Sequence, residues 1–170
     1  PGGGGPREDP RVLSLPGHED VRTGDKSLRV MAIGPVGAGK STLLARLGLR
    51  AGAAKKTGGV EFLAEAVDTP GEAFEIPTLY HMLIMSSTKA SVLLLLADPT
   101  KKRRFPARFA LSMRAPIVGI VSKIDIATPE NILRAEKTLA QSGVRKIFRV
   151  SSITGEGIPD LESYLNRDRY

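Results

Sequence analysis

The stretch Gly34-Pro35-Val36-Gly37-Ala38-Gly39-Lys40-Ser41 carries the most chemistry in this sequence. Its spacing is G-x-x-x-x-G-K-[ST]. With 18 Gly, ten Lys and 22 Ser plus Thr in 170 residues, such a match arises by chance in roughly 1% of chains this long. Glycines let the backbone curl until several N–H groups point inward, where they can meet phosphate oxygens. A helix starting just after them adds partial positive charge. Lys40 is placed to reach the outer phosphates of a nucleotide, and the Ser41 hydroxyl to ligate Mg²⁺. The candidate binding residues are Gly34, Val36, Gly37, Ala38, Gly39, Lys40, Ser41 and Thr42. The competing reading is a glycine-rich turn without a ligand.

Three later segments fit the same chemistry. Asp68-Thr69-Pro70-Gly71 ends an apolar run, and an acidic residue at the carboxyl end of a strand sits where open α/β sheets bind ligands. Asp68 can hold Mg²⁺ through water, and the Gly71 N–H can approach a terminal phosphate that tolerates no side chain. Ser122-Lys123-Ile124-Asp125 follows another apolar run. The Asp125 carboxylate can accept from the imino and amino groups of guanine, a donor pair that adenine lacks. The Lys123 stem can lie over the base. Ser151 and Ser152 close a last run, where a backbone N–H can meet the guanine oxygen. A solvated turn is the plain alternative for Ser122–Asp125.

These segments need strands and helices to bring them together. Apolar runs at Leu28–Ile33, Val60–Val67, Val92–Ala97, Ile117–Val121 and Ile147–Val150 read as strands. Near-continuous apolar runs suit a parallel sheet covered on both faces. Helices are expected over Ser41–Gly48, from Pro77 to about Ser87, from Pro129 to near Gly143, and over Ile158–Leu165. Thr128 caps the third, whose Ile132, Ala135, Leu139 and Ala140 fall on one face. Alternation of strand and helix predicts an α/β fold of three layers, α/β/α, with a mainly parallel sheet.

Taken together, these residues resemble the P-loop GTPases of the translation-factor-related class, with a Ras-like G domain. Gly34–Thr42, Ala54–Thr57 leading to Val60–Phe62, Asp68–Glu72 and Tyr80-His81 resemble the ethanolamine- and propanediol-utilisation GTPase-like family, EutP/PduV. The resemblance covers roughly Leu28 to Leu165. It implies GTP or GDP with Mg²⁺ as cofactors, and a protein found with bacterial microcompartments. It implies Thr57 as the switch threonine, reaching Mg²⁺ and the terminal phosphate. Lys40, Thr57 and Glu72 then form the catalytic set, and Ser41, Thr57 and Asp68 the metal set. Glu72 stands where such enzymes usually have the Gln that orients water, and the Val36 side chain crowds the terminal-phosphate region. Ser122 replaces a more usual Asn or Thr and weakens a loop-bracing contact. The departures at Glu72 and Val36 lead to an expectation of slow turnover, on the order of 10⁻³ s⁻¹ or below. The family's activity is read in two further ways: phosphoryl transfer to a small carboxylate such as acetate, or a non-enzymatic microcompartment adaptor with bound nucleotide.

Composition bounds the rest. The chain has no Cys, which excludes disulfides and thiolate metal sites. His18 and His81 alone weigh against a multi-histidine metal centre. No apolar run reaches the ~18 residues of a membrane span, and the opening residues predict no secretory leader, so the cytoplasm is the expected compartment. Residues 1–27 carry four basic and five acidic groups and read as a Gly/Pro-rich flexible tail. With +7 on the whole chain and −1 on that tail, residues 28–170, the expected nucleotide-binding domain, carry +8. That surplus favours anionic partners. Lys101–Arg104 reads as a solvated loop or a dock for an acidic protein surface; microcompartment shell or enzyme proteins are partners implied by the resemblance. Aromatic residues at 5% offer no stacking platform for nucleic acid. Asp98 reads as a turn cap, and His81 as packed or partner-facing.

Overall fold

The computed structural model describes residues 28–48, 60–63 and 77–167. The tail at 1–27, with His18, lies outside these, as do Ala54–Thr57, Asp68, Gly71, Glu72 and the second half of the Val60–Val67 run.

Five strands form one sheet: β1 (Leu28–Ile33), β2 (Val60–Leu63), β3 (Val92–Ala97), β4 (Ile117–Val121) and β5 (Lys146–Arg149). Their order is β2-β1-β3-β4-β5, and every neighbouring pair is parallel. All six residues of β3 are buried. Successive side chains of a strand leave opposite faces, so such a run requires cover on both sides. Val30, Ala32, Leu94, Leu96 and Ile120 pack with Leu43 and Leu44 of α1 (Lys40–Arg46) and Leu161 of α4 (Ile158–Arg167). The alternate residues Met31, Ile33, Leu93 and Leu95 pack on the other face with Leu83 of α2 (Pro77–Ser87) and Ala135 and Leu139 of α3 (Pro129–Gln141). The result is the α/β/α arrangement read from the sequence.

Two details differ. Ala140 is exposed, and Thr138 takes the buried place on α3 because its hydroxyl donates to the Arg134 carbonyl at 3.0 Å. The last strand starts and ends one residue earlier than its apolar run, since β5 is an edge strand with no buried residue. Thr128 caps α3 as expected, accepting from the Asn131 N–H at 3.3 Å.

The topology fixes where the site must be. From β1 the chain turns to β2 on one side and later to β3 on the other, so the strand order reverses beside β1. In open α/β sheets ligands bind at such a reversal, beyond the carboxyl ends of the strands. The segments after β1, β3, β4 and β5 all emerge at that end, because the strands are parallel. Among the described residues, no helix is long and apolar enough to cross a membrane.

Candidate functional site

The segment leaving β1 is held against β3. A Cβ on Gly34 would lie 2.7 Å from the Leu96 carbonyl oxygen, so only glycine lets β1 exit so close to the central strand. Gly39 has φ 92 and stands at the N-cap of α1. That left-handed backbone is unfavourable for residues with a Cβ, and the direction a Cβ would take is open, with no atom within 4 Å. The Lys40 side chain is 7% exposed. Its ammonium folds back onto the loop, donating to the Gly34 carbonyl at 2.6 Å and the Pro35 carbonyl at 2.8 Å. The ammonium thus sits against the carbonyls of its own loop, whose glycine backbone is of the kind that can cradle phosphate. Ser41 and Thr42 follow on the first turn of α1, both exposed.

The turn after β4 is joined to this loop. The Ser122 N–H donates to the Ala97 carbonyl at 3.0 Å, extending the ladder one residue beyond β4. The Ser122 hydroxyl lies 2.7 Å from the Ala38 carbonyl and 3.3 Å from that of Ala97. It has one proton to give, and the shorter contact takes it. The sequence reading expects serine to weaken a loop-bracing contact at this position; the buried hydroxyl makes one such contact, to the loop carbonyl of Ala38.

Lys123 has φ 53, one of two non-glycine residues with positive φ among those described. Such backbone costs about 1–2 kcal/mol. Several bonds hold it: Val150 N–H to Val121 carbonyl at 2.9 Å, Ile126 N–H to Lys123 carbonyl at 3.2 Å, and the Lys123 ammonium to Asp98 Oδ2 at 2.7 Å. Asp98 also accepts from the Thr100 N–H at 3.0 Å and its hydroxyl at 2.5 Å, the turn cap expected of it. Burial pushes the Asp98 carboxyl up. Hydrogen bonds from Lys123 and Thr100 outweigh that and hold it below the usual carboxylate range. The ion pair fixes the far end of the Lys123 stem. Asp125, two residues on, is exposed, and its carboxylate engages none of the described residues.

After β5, Ser151 is fully buried, and its N–H is already committed to the Glu156 carbonyl at 2.9 Å. Its hydroxyl accepts from the Thr154 N–H at 3.1 Å. Ser152 is half-buried, and Ile153 beside it is 74% exposed. Of the other features, His81 and Met85 are exposed on α2 while Leu83 is buried in the core. The four residues Lys101–Arg104 are exposed, and the Lys101 ammonium reaches the Val36 carbonyl at 3.3 Å.

Residues 27–167 match the family model described as ethanolamine utilisation – propanediol utilisation, PduV-EutP. The chain belongs to that family. It is 32% identical over 139 residues to the propanediol utilization protein PduV of Citrobacter freundii, covering 81% of this chain and 93% of that protein. Over 141 residues it is 32% identical to the probable acetate kinase EutP of Salmonella typhimurium, covering 81% and 88%. Among solved structures, translation elongation factor SelB of Methanococcus maripaludis with the GTP analogue GppNHp aligns with a TM-score of 0.58. Its identity is 20%, and the match covers 84% of this chain but only 33% of that one. A probable GTP-binding protein EngB aligns with a TM-score of 0.56 at 18% identity, covering 83% and 99%. At such identities the likeness is one of fold, and the fold of this PduV-EutP family member is that of a P-loop GTPase domain.

Proposed function

We propose that this protein binds guanine nucleotide, hydrolyses GTP slowly, and serves ethanolamine or propanediol use at a bacterial microcompartment. One observation carries the nucleotide reading: the Ser122 hydroxyl joins the Lys40 loop to the Asp125 turn at 2.7 Å. A phosphate cradle and a base-reading carboxylate are thereby parts of one rigid unit. In this reading the loop amides and Lys40 hold the phosphates, Asp125 accepts from the guanine edge, and the Ser152 N–H meets the guanine oxygen. Ser41, with Thr57 and Asp68, holds Mg²⁺, which neutralises phosphate charge. The microcompartment role, and shell or enzyme proteins as partners, are inferred from the family.

A second reading has its own support, since one relative is named a probable acetate kinase. The same loop then holds the phosphoryl donor.

Titration calorimetry of the full chain with GTP, GDP and ATP, with and without Mg²⁺, tests the first reading. It expects GTP and GDP to bind and ATP to bind at least tenfold more weakly. Equal affinity for GTP and ATP sinks the base assignment, and no heat with any nucleotide sinks the site. Steady-state turnover with and without acetate separates the two activities: acetate-stimulated consumption with acetyl phosphate formed favours the transferase.

A further inference from the structure

Among the described residues, β5 pairs with β4 on one side and with no strand on the other. The Val150 N–H donates to the Val121 carbonyl at 2.9 Å, so position 150 turns its amide toward β4. Backbone direction alternates along a strand, which puts the amides of Lys146 and Phe148 on the β4 side as well. The N–H and carbonyl groups of Ile147 and Arg149 then face outward. The Arg149 carbonyl is covered, because the Gly157 backbone lies so close that a Cβ there would overlap it. The Ile147 N–H, the Ile147 carbonyl and the Arg149 N–H remain, and none of the described residues bonds them.

Beside that edge runs an open groove of about 610 Å³ between β5 and α4. Its apolar part is the pair Phe148 and Tyr164, with ring centroids 5.3 Å apart. Its charged part is mostly cationic. Lys146 and Arg167 line it, with Asp160 the carboxylate among the lining residues. Exposed Arg145 precedes Lys146. Arg149 lines the groove too, but its guanidinium is held by the Glu136 carboxylate of α3 at 2.6 and 2.9 Å. The Lys146 ammonium lies 5.1 Å from the centre of the Phe148 ring. Among the described residues no carboxylate pairs with Lys146 or Arg167.

A free strand edge offers main-chain donors and acceptors, and what matches them in register is another extended chain. The cations decide its charge. A second copy of β5 would set Arg145, Lys146 and Arg149 against their own counterparts, and like charges facing across paired strands repel. An acidic strand meets them with opposite charge. The net charge of +7 on the whole chain draws such a partner in. A nucleic acid would answer the charge but not the strand edge.

We propose that the β5 edge docks an acidic, extended segment of a partner protein, which joins the sheet beside Ile147 and Arg149 with its carboxylates on Lys146 and Arg167. This goes beyond nucleotide binding and does not rest on it. The groove lies along the flank of the sheet, not beyond the carboxyl ends of its strands.

The test is NMR of the ¹⁵N-labelled full chain with a peptide of about ten residues alternating Glu and Val. The Ile147 and Arg149 amide signals are expected to move, and their hydrogen exchange to slow. The same peptide with Lys in place of Glu is expected to do neither, and so is the Glu peptide with every amide N-methylated. The double variant Lys146→Glu, Arg167→Glu is expected to bind the Glu peptide about tenfold more weakly, while Lys102→Glu, Arg104→Glu, an equal charge change on the exposed loop after β3, stays within about twofold of wild type. The spectra show whether each variant is folded, and the N-methylated peptide tests the edge on wild type alone. Unmoved Ile147 and Arg149 signals overturn the proposal. An N-methylated peptide that binds as well as its parent, or equal losses in the two double variants, overturns it too, because either marks diffuse charge. Amide protection that grows with protein concentration alone assigns the edge to a second copy. An oligonucleotide that moves the same signals as strongly assigns the groove to nucleic acid, and both results overturn the proposal.

Discussion

Ser122 and Ala38 are 84 residues apart in sequence, yet the hydroxyl of one meets the carbonyl of the other at 2.7 Å. Both residues are buried, at 3% and 0% exposure. The bond crosses from the end of β4, under the end of β3, to the loop after β1. It therefore sets the distance between the loop proposed to bind phosphate and the turn proposed to read the base.

Ser122→Ala leaves the Ala38 carbonyl without that donor in a place water does not reach. The cost is about 1–3 kcal/mol of stability, read as a lower urea midpoint at unchanged slope. Nucleotide affinity is expected to fall several-fold as well, because the loop loses its preorganisation. A variant with wild-type stability and wild-type affinity would show that the contact fixes nothing.

The pair Asp98–Lys123 predicts a dependence on acid. The Asp98 carboxyl is held below its unfolded-state value, which is about 3.9. A group depressed on folding adds stability above its unfolded value and loses it as pH falls through the folded one. Wild type should exceed Asp98→Asn by a constant margin from pH 5 to 7. Below about pH 4 that margin should shrink toward zero. Urea melts of the two proteins across this range check it, and a margin that grows on acidification contradicts the assignment.

Legibility in the sequence followed burial and locality. β1, β3 and β4 match their apolar runs residue for residue, because strands buried on both faces announce themselves. β5 was displaced by one residue, being a half-exposed edge whose pattern is weak. Thr138 was missed on α3 because a hydroxyl that bonds its own helix hides its polarity. The Gly34–Ser41 loop was readable because its chemistry is contiguous. The pairs Ser122–Ala38, Lys123–Asp98 and Lys101–Val36 were not, since each joins segments that become neighbours only through the strand order.

Asp125 carries the base assignment, and its carboxylate is exposed and unengaged by the described residues. Asp125→Ala removes the proposed acceptor for two guanine donors. Sites built around such donors reject ligands lacking them strongly, so GTP affinity should fall on the order of 100-fold while ATP affinity stays unchanged. Because the residue is on the surface, thermal stability should hold within about 0.5 kcal/mol. A preserved GTP-over-ATP preference would move base recognition elsewhere in the turn.

Gly34 and Gly37 bracket the outer half of the loop and predict opposite weights for adding one methyl group. At Gly34 the new Cβ meets the Leu96 carbonyl oxygen at 2.7 Å and the Leu96 Cβ at 3.1 Å. Leu96 is fully buried in the central strand, so relief requires β1 to separate from β3. The cost of such overpacking is about 1–3 kcal/mol, and the shift carries away the Gly34 carbonyl that Lys40 holds at 2.6 Å. At Gly37 the new Cβ meets only the Lys101 ammonium at 3.2 Å, the end of a flexible chain, on backbone with φ 77. Its cost is that of left-handed backbone, about 1–2 kcal/mol, without the displacement of a central strand. Urea denaturation should therefore rank Gly34→Ala as the less stable variant. The opposite ranking would mean that the β1 exit does not press on β3 as described.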